Sequence, residues 1–160
     1  MKLLAIDPGY ERIGIAILEK TTGGKETLLY SDCFKTSAKL TFAERLVLIG
    51  DEIERVVKKY KPTALAIEKL YFAKNTTTAM GVAEARGVII YEATKHGCKI
   101  YEYTPMEIKV AVTGYGKATK ENITFMTQKL IDLPKNKKMI DDELDAIAVG
   151  LTCFAREKWK

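Results

Sequence analysis

Four acidic residues stand where a metal-dependent chemistry could use them. Asp7 ends the apolar run KLLAID, and Glu68 closes the apolar run TALAIEK at residues 63–69. Asp142 and Asp145 are three residues apart in IDDELDAIAVG, a spacing that puts two side chains on one helix face. Clustered carboxylates repel each other and are costly to bury unless a cation compensates, and hard divalent cations such as Mg²⁺ take oxygen ligands. The pattern therefore predicts a divalent-metal site.

Each acid also has a simpler interpretation, which the sequence leaves open. Acids that begin a helix interact favourably with the positive end of its dipole, Asp7 could be a turn residue, and Glu68 could pair with a neighbouring lysine. The dipole explains Asp145 poorly, because Asp145 lies further into the predicted helix. Asp141 shares a face with Asp145 at four-residue spacing, so spacing alone leaves Asp141 and Asp142 as alternatives.

The elements that must position these acids are predicted to form one α/β domain over residues 1–160. Apolar and alternating runs predict strands over 2–7, 12–19, 26–34, 63–69 and 98–104. Helical spacing and capping signals predict helices over 42–59, 76–95, 105–112, 120–130 and 141–156. This order, βββαβαβααα, predicts a three-stranded antiparallel meander plus parallel strands in a mixed sheet, with helices on both faces. Ligands gather at strand ends in such sheets.

Composition restricts the class of protein. The chain has 160 residues, of which 47% are hydrophobic and 29% charged, values typical of a globular domain. No apolar run approaches the roughly 20 residues that span a bilayer, and the N-terminal run lacks the features of a signal peptide, so no membrane association is predicted. Three widely spaced cysteines indicate reduced thiols in a cytoplasmic protein rather than a disulfide framework or zinc site.

Lysines lie close to the acidic motifs. The formal net charge is +5, and residues 105–140 contain seven lysines against three acids. A solvated surface explains this, but so does a surface that binds phosphates. In the loop GYGKATK the glycines would let the backbone approach a phosphate that Lys117 and Lys120 could reach. Lys74 and Lys109 lie near the acidic motifs and are further candidates for phosphate binding.

Three other features have both a structural and a functional interpretation. Tyr71 and Phe72 cannot both face one core in an extended segment, so an exposed ring could stack on an unpaired base, worth roughly 1–3 kcal/mol. His96, before Gly97, is interpreted as a capping or surface residue. The small residues of segment 79–87 permit close helix packing, either in a dimer or against the chain's own sheet.

Several segments together resemble the RuvC family of Holliday-junction resolvases. They are AIDPGYERIGIAI, AIEKLYFAKNTTTAMGVAEARGV, TPMEIKVAVTGYGKATKENI and DDELDAIAVG, in the family's order and over nearly the whole chain. The resemblance implies a ribonuclease-H-like fold and a homodimer that makes paired symmetric nicks in a four-way DNA junction. It also implies two Mg²⁺ ions per site, with Mn²⁺ as a possible substitute, and junction-migrating helicase partners of the RuvA and RuvB type.

The same resemblance assigns roles to individual residues. Asp7, Glu68, Asp142 and Asp145 match the family's acidic metal ligands, which would make them the catalytic residues. Tyr71 matches a stacking wedge at the junction centre, with Phe72 as its helper.

Three other functions remain as alternatives. An actin-like or sugar-kinase ATPase also opens with a strand, an acid and a glycine turn, but it needs two such domains, for which 160 residues are too few. A junction-binding protein without activity would keep the lysines and tolerate loss of the acids, which are all present. A related nuclease acting on RNA or RNA–DNA hybrids would have the same residue types.

Overall fold

The computed structural model describes residues 1–21, 23–70, 76–134 and 136–159, with the side chains of residues 76 and 77 left out. The strands are β1 (Lys2–Asp7), β2 (Arg12–Glu19), β3 (Thr27–Lys35), β4 (Ala64–Glu68) and β5 (Lys99–Tyr103). The helices are α1 (Phe42–Tyr60), α2 (Thr76–Lys95), α3 (Pro105–Thr113), α4 (Lys120–Leu130) and α5 (Asp141–Arg156). The predicted element order is confirmed, and element ends differ from prediction by one residue at most.

All five strands form one mixed sheet in the order β3-β2-β1-β4-β5. The pairs β1–β2 and β2–β3 are antiparallel, which confirms the meander. The pairs β1–β4 and β4–β5 are parallel. Since β1 is in the middle of the sheet and β4 is beside it, the C-terminal ends of these two strands lie at the same edge.

Helices cover both faces of the sheet, as predicted. Alternate residues of β1 point to opposite sides: Leu3 and Ala5 pack with residues of α3 and α5, whereas Leu4 and Ile6 pack with residues of α1 and α2. These four side chains are fully buried, which explains why the first strand reads as a continuous apolar run rather than an alternating one. No helix among the described residues has the length and apolarity that crossing a membrane requires.

Three helices begin with reciprocal capping contacts. Thr41 and Glu44 form the capping box that the sequence predicts for α1. Thr104 starts α3 in the same way, and Thr119 starts α4. The cap at Thr119 fixes the first residue of α4, which is Lys120, close to the acidic end of the sheet.

Candidate active site

Asp7 and Glu68 come together because their strands are parallel neighbours. Ile6 is paired with Ile67 in the β1–β4 register, so the next residue of each strand is one of the two acids. Each carboxyl group is partly buried at this edge of the sheet. The two strand-end acids, each inferred from a separate apolar run, therefore lie next to each other in the structure.

The N-terminal turn of α5 reaches the same edge through contact with β2. Gly14 is paired with Asp7 in the β1–β2 register. A Cβ atom built on Gly14 would lie 2.0 Å from the backbone oxygen of Asp142 and 3.2 Å from the Cβ of Asp7. Only a residue without a side chain lets α5 approach so closely, and this approach sets Asp142 beside Asp7.

The acids are close enough to perturb one another electrostatically. Burial raises the pKa of Asp7 to about 8, and the charges of Glu68, Asp145 and Asp142 raise it in that order, while Lys120 opposes the rise. Burial, followed by the charge of Asp145, raises the pKa of Glu68 to about 7. The pKa of Asp145 is also raised, mainly by burial. Burial and the neighbouring carboxylates therefore both disfavour the ionised forms of Asp7 and Glu68.

Two basic side chains contact the α5 acids. The Lys120 Nζ atom lies 3.1 Å from Asp145 Oδ2 and 3.8 Å from Asp141 Oδ2. The guanidinium of Arg12 forms an ion pair and a hydrogen bond with the carboxylate of Asp142. In the sequence, Arg12 is distinguished only by its place at the start of β2, just after the turn that follows Asp7.

Exposure separates the two neighbouring aspartates that spacing left as alternatives. The side chain of Asp141 is 72% exposed, whereas that of Asp142 is 21% exposed. Asp142 also contributes to the raised pKa of Asp7. Both observations favour Asp142 as the inward-facing acid and leave Asp141 at the rim.

Two clefts meet at Glu68. One, of about 250 Å³, is lined by Asp7 and Glu68 together with residues that follow β1 and β4. The other, of about 210 Å³, is lined by Glu68, Lys109, Lys120 and Asp145. Asp7, Glu68 and Asp145, with two of the predicted phosphate-binding lysines, therefore line two clefts that share Glu68.

Comparison with known proteins identifies the family. The model of the family described as crossover junction endodeoxyribonuclease RuvC matches residues 3–153. The chain belongs to the RuvC family. RuvC of Desulfitobacterium hafniense is 40% identical over 155 residues, which cover 97% of this chain and 92% of that protein. RuvC of Petrotoga mobilis is 45% identical over 150 residues, covering 94% and 91%.

A solved RuvC structure has the same architecture. The Thermus thermophilus RuvC, solved in complex with a Holliday junction substrate, matches with a TM-score of 0.86 at 30% identity. The match covers 95% of this chain and 92% of that one. It confirms both the ribonuclease-H-like fold class and the family resemblance that the sequence motifs indicated.

The remaining predicted DNA contacts of this RuvC-family chain divide into two groups. Lys117 is exposed in the turn that precedes α4, on the same connection that delivers Lys120 to the acids. Tyr71, Phe72 and Lys74 lie outside the described residues. Their predicted roles as a stacking wedge, its helper and a phosphate contact stay predictions.

Glu143 has a structural role that the sequence did not indicate. It is one of three consecutive acids in the first turn of α5, but the residue is only 2% exposed. Its carboxylate accepts hydrogen bonds from the Ser31 hydroxyl at 2.8 Å, from the Lys137 ammonium and from the Ile140 backbone N–H at 3.2 Å. Glu143 thus joins β3, the loop before α5 and the first turn of α5, the turn that carries Asp142.

The chemistry of the donors at the strand ends fits a hard divalent cation. Asp7, Glu68, Asp142 and Asp145 offer carboxylate oxygens alone, the donors that Mg²⁺ prefers. The raised pKa values of Asp7 and Glu68 agree with this, because they show that the ionised carboxylates are disfavoured, and a bound dication would stabilise those ionised forms. These residues are therefore suited to the metal-dependent chemistry of the family.

Proposed function

We propose that this chain is an endodeoxyribonuclease that resolves four-way (Holliday) DNA junctions by paired symmetric nicks, in recombination and DNA repair. The observation that carries the proposal is the convergence of Asp7, Glu68, Asp142 and Asp145 at one sheet edge of a RuvC-family chain. The relatives' shared description as crossover junction endodeoxyribonucleases and the junction-bound Thermus structure support the substrate. One five-stranded sheet packed on both faces supports a single nuclease domain over residues 1–160.

The four acids would hold two Mg²⁺ ions, and Mn²⁺ could substitute because it takes the same oxygen ligands. When bound, such a pair supplies a water of lowered pKa and stabilises charge on the leaving 3′ oxygen. The chain's own contribution is to fix the ligands: β1 and β4 hold two of them, and the Gly14 contact holds α5 against the sheet. No serine or cysteine nucleophile is required.

Basic residues around the clefts would bind and orient the DNA. Lys109 and Lys120 line the cleft that contains Glu68 and Asp145, so each could meet a phosphate beside the metal ligands. Lys117 is exposed on the adjoining turn. We include Lys74, Tyr71 and Phe72 in the DNA-binding surface on the strength of the sequence motif.

A homodimer would supply the two sites that paired nicks require. On α2, Gly81 packs against Tyr10 and Phe42 of the same chain, so much of the small-residue segment serves internal packing. The outer side of α2 is different: Met80 is 67% exposed and Tyr91 64% exposed. We propose that this outer face of α2, on which Glu84 and Gly87 lie between Met80 and Tyr91, is the dimer interface.

The family suggests the partners of this chain, and its cysteines suggest the compartment. We propose junction-migrating helicase proteins of the RuvA and RuvB type as partners. A cytoplasmic location is consistent with three free cysteines, none of which is fully exposed.

The deciding experiment is Mg²⁺-dependent cleavage of a synthetic four-way DNA junction, beside linear duplex DNA and an RNA–DNA hybrid. Wild-type protein should nick the junction symmetrically, and Asp145→Asn should not. Asp132→Asn is the matched control, because it makes the same change at a side chain that is 95% exposed. Asp7→Asn should lose cleavage but retain junction binding, since it removes a metal ligand rather than a phosphate contact.

The alternatives predict different results in the same assay. Binding of the junction without cleavage under Mg²⁺ or Mn²⁺ would identify a non-catalytic junction-binding protein. Preferential cutting of the hybrid would keep the metal chemistry and assign the substrate to RNA.

A further inference from the structure

A second group of potential metal ligands lies between α1 and α2, and the catalytic proposal makes no use of it. Glu54 comes from α1, while Glu92 and His96 come from α2, four residues apart and so on one helix face. One ligand atom of each residue lies within 4.8 Å of the others. Among the described residues, these three form the one group of histidine, cysteine and acidic side chains that meets this spacing.

The hydrogen bonds of His96 point one ring nitrogen at the cluster. Its Nδ1 atom lies 2.9 Å from the backbone oxygen of Glu92. A carbonyl oxygen can only accept, so Nδ1 carries the hydrogen and the lone pair of the neutral ring is on Nε2. Nε2 in turn lies 3.8 Å from Glu54 Oε1, while Glu92 Oε2 lies 3.8 Å from Nδ1, so the Glu92 side chain must rotate to share an ion on Nε2 with Glu54. A backbone acceptor for the second ring nitrogen is the arrangement that fixes the orientation of metal-binding histidines.

The spacing of the donors is near what one ion needs. Zinc binds imidazole nitrogen and carboxylate oxygen at about 2.0–2.2 Å, so two ligands at a tetrahedral angle stand about 3.4 Å apart. The 3.8 Å between Nε2 of His96 and Oε1 of Glu54 exceeds this by only a few tenths of an ångström. Both are ends of rotatable side chains, so a small adjustment closes the difference.

We propose that Glu54, Glu92 and His96 form a binding site for a divalent transition metal of the zinc class, separate from the strand-end acids. Imidazole together with carboxylates suits Zn²⁺, Co²⁺ or Ni²⁺, whereas all-oxygen donors suit Mg²⁺. Three protein ligands leave a fourth position for water or for a group of another molecule. The ion would tie α1 to α2 at one end of the groove lined by Val47 and Tyr91.

Two lysines compete with the ion for the carboxylates. Lys58 Nζ lies 3.0 Å from Glu54 Oε1, and Lys95 Nζ lies 3.5 Å from Glu92 Oε2. The lysine side chains are 62% and 49% exposed, so each can turn into solvent when an ion takes its place. Because exposed pairs of this kind are weak, their loss subtracts little from metal affinity.

The test observes the imidazole directly, because the chain contains a single histidine. Tag-free full-length protein is titrated with Zn²⁺, and in parallel with Mg²⁺, while the ring resonances of His96 are followed by NMR. We expect Zn²⁺ to change them saturably at one equivalent per chain and Mg²⁺ to leave them unchanged. Binding at the strand-end acids does not produce this signal, so the result is independent of the catalytic proposal.

Variants identify the carboxylate ligands. Glu54→Gln and Glu92→Gln should each weaken Zn²⁺ binding at the imidazole at least tenfold, whereas Glu121→Gln, at an exposed acid on α4, should leave it unchanged. Zn²⁺ should also raise the Tm of wild-type protein more than that of His96→Asn, since an ion bound only to the folded state stabilises it. Unperturbed ring resonances, or wild-type Zn²⁺ affinity in both Glu variants, would overturn the proposal and leave an ion-pair cluster only.

Discussion

The contact between Gly14 and the backbone of Asp142 gives the sharpest test of how the fold builds the site. In Gly14→Ala, the new Cβ would lie 2.0 Å from the Asp142 oxygen, about 1.4 Å closer than the 3.4 Å at which ordinary van der Waals contact begins. The obstacle is backbone, so no rotamer change relieves it, and α5 must move away from β2. Overpacking of this kind costs about 1–3 kcal/mol. For a chain of this length, each kcal/mol lowers Tm by roughly 2–4 °C.

In Gly14→Ala we expect a large loss of cleavage rate beside a moderate loss of stability. A displacement of about 1 Å in a catalytic group can lower the rate on the order of 100-fold, and here the displaced turn carries Asp142. The assay is single-turnover nicking of a four-way junction at saturating Mg²⁺, well below the variant's Tm. Gly87→Ala is the control for the Tm measurement, because a Cβ there meets nothing within 4 Å and alanine favours a helix. Wild-type Tm together with wild-type cleavage in Gly14→Ala would refute the inference that this contact positions Asp142.

Three further predictions concern charge. The raised pKa values of Asp7 and Glu68 mean that the metal-free fold loses stability as pH rises from about 4 to about 8. Mg²⁺ should therefore raise Tm more at about pH 8 than at about pH 5.5, and Asp7→Asn should reduce this difference. A Tm increase of equal size at both pH values would contradict the prediction. Lys120→Met removes the charge that lowers the pKa of Asp7, so its cleavage profile should move to higher pH, while Lys120→Arg should stay near wild type. Lys137→Met should lower the free energy of unfolding by about 1–3 kcal/mol at neutral pH in urea titrations, because it leaves Glu143 buried without its cation. The pKa of Glu143 is held low, so that loss should shrink as pH falls, and Lys138→Met should show neither effect.

The sequence predicted the site's acids because each one follows a local pattern. Asp7 and Glu68 close apolar runs that could only be buried strands, and Asp142 and Asp145 are placed by helical spacing. These patterns depend on neighbours within about seven residues, and local neighbours are what a sequence displays directly. The parallel pairing of β1 with β4 needed one further step, the rule that alternating strands and helices make parallel neighbours.

The roles of Gly14, Arg12 and Glu143 could not be predicted from the sequence, because they depend on contacts between residues more than a hundred positions apart. Gly14 is required by the backbone of Asp142, and Arg12 pairs with the same residue. Glu143 is held by Ser31 from β3. Nothing local distinguishes a glycine in a strand that must admit a helix from one that is merely tolerated. Nor does the sequence distinguish Glu143, the third of three acids at the start of α5, as the one whose side chain is buried.

The charges of the site account for why a basic chain gathers acids at the start of α5. Arg12 and Lys120 offset the carboxylates of Asp142 and Asp145, while burial, and then the neighbouring carboxylates, raise the pKa values of Asp7 and Glu68. Neither basic side chain is buried, so neither is committed to its partner. On the proposed mechanism, dications bound to the acids would free both basic groups to turn toward a DNA phosphate at the same edge. In the absence of metal, the two ion pairs thus reduce the repulsion among the acids. They also hold Arg12 and Lys120 close to the place where the backbone of the DNA would bind.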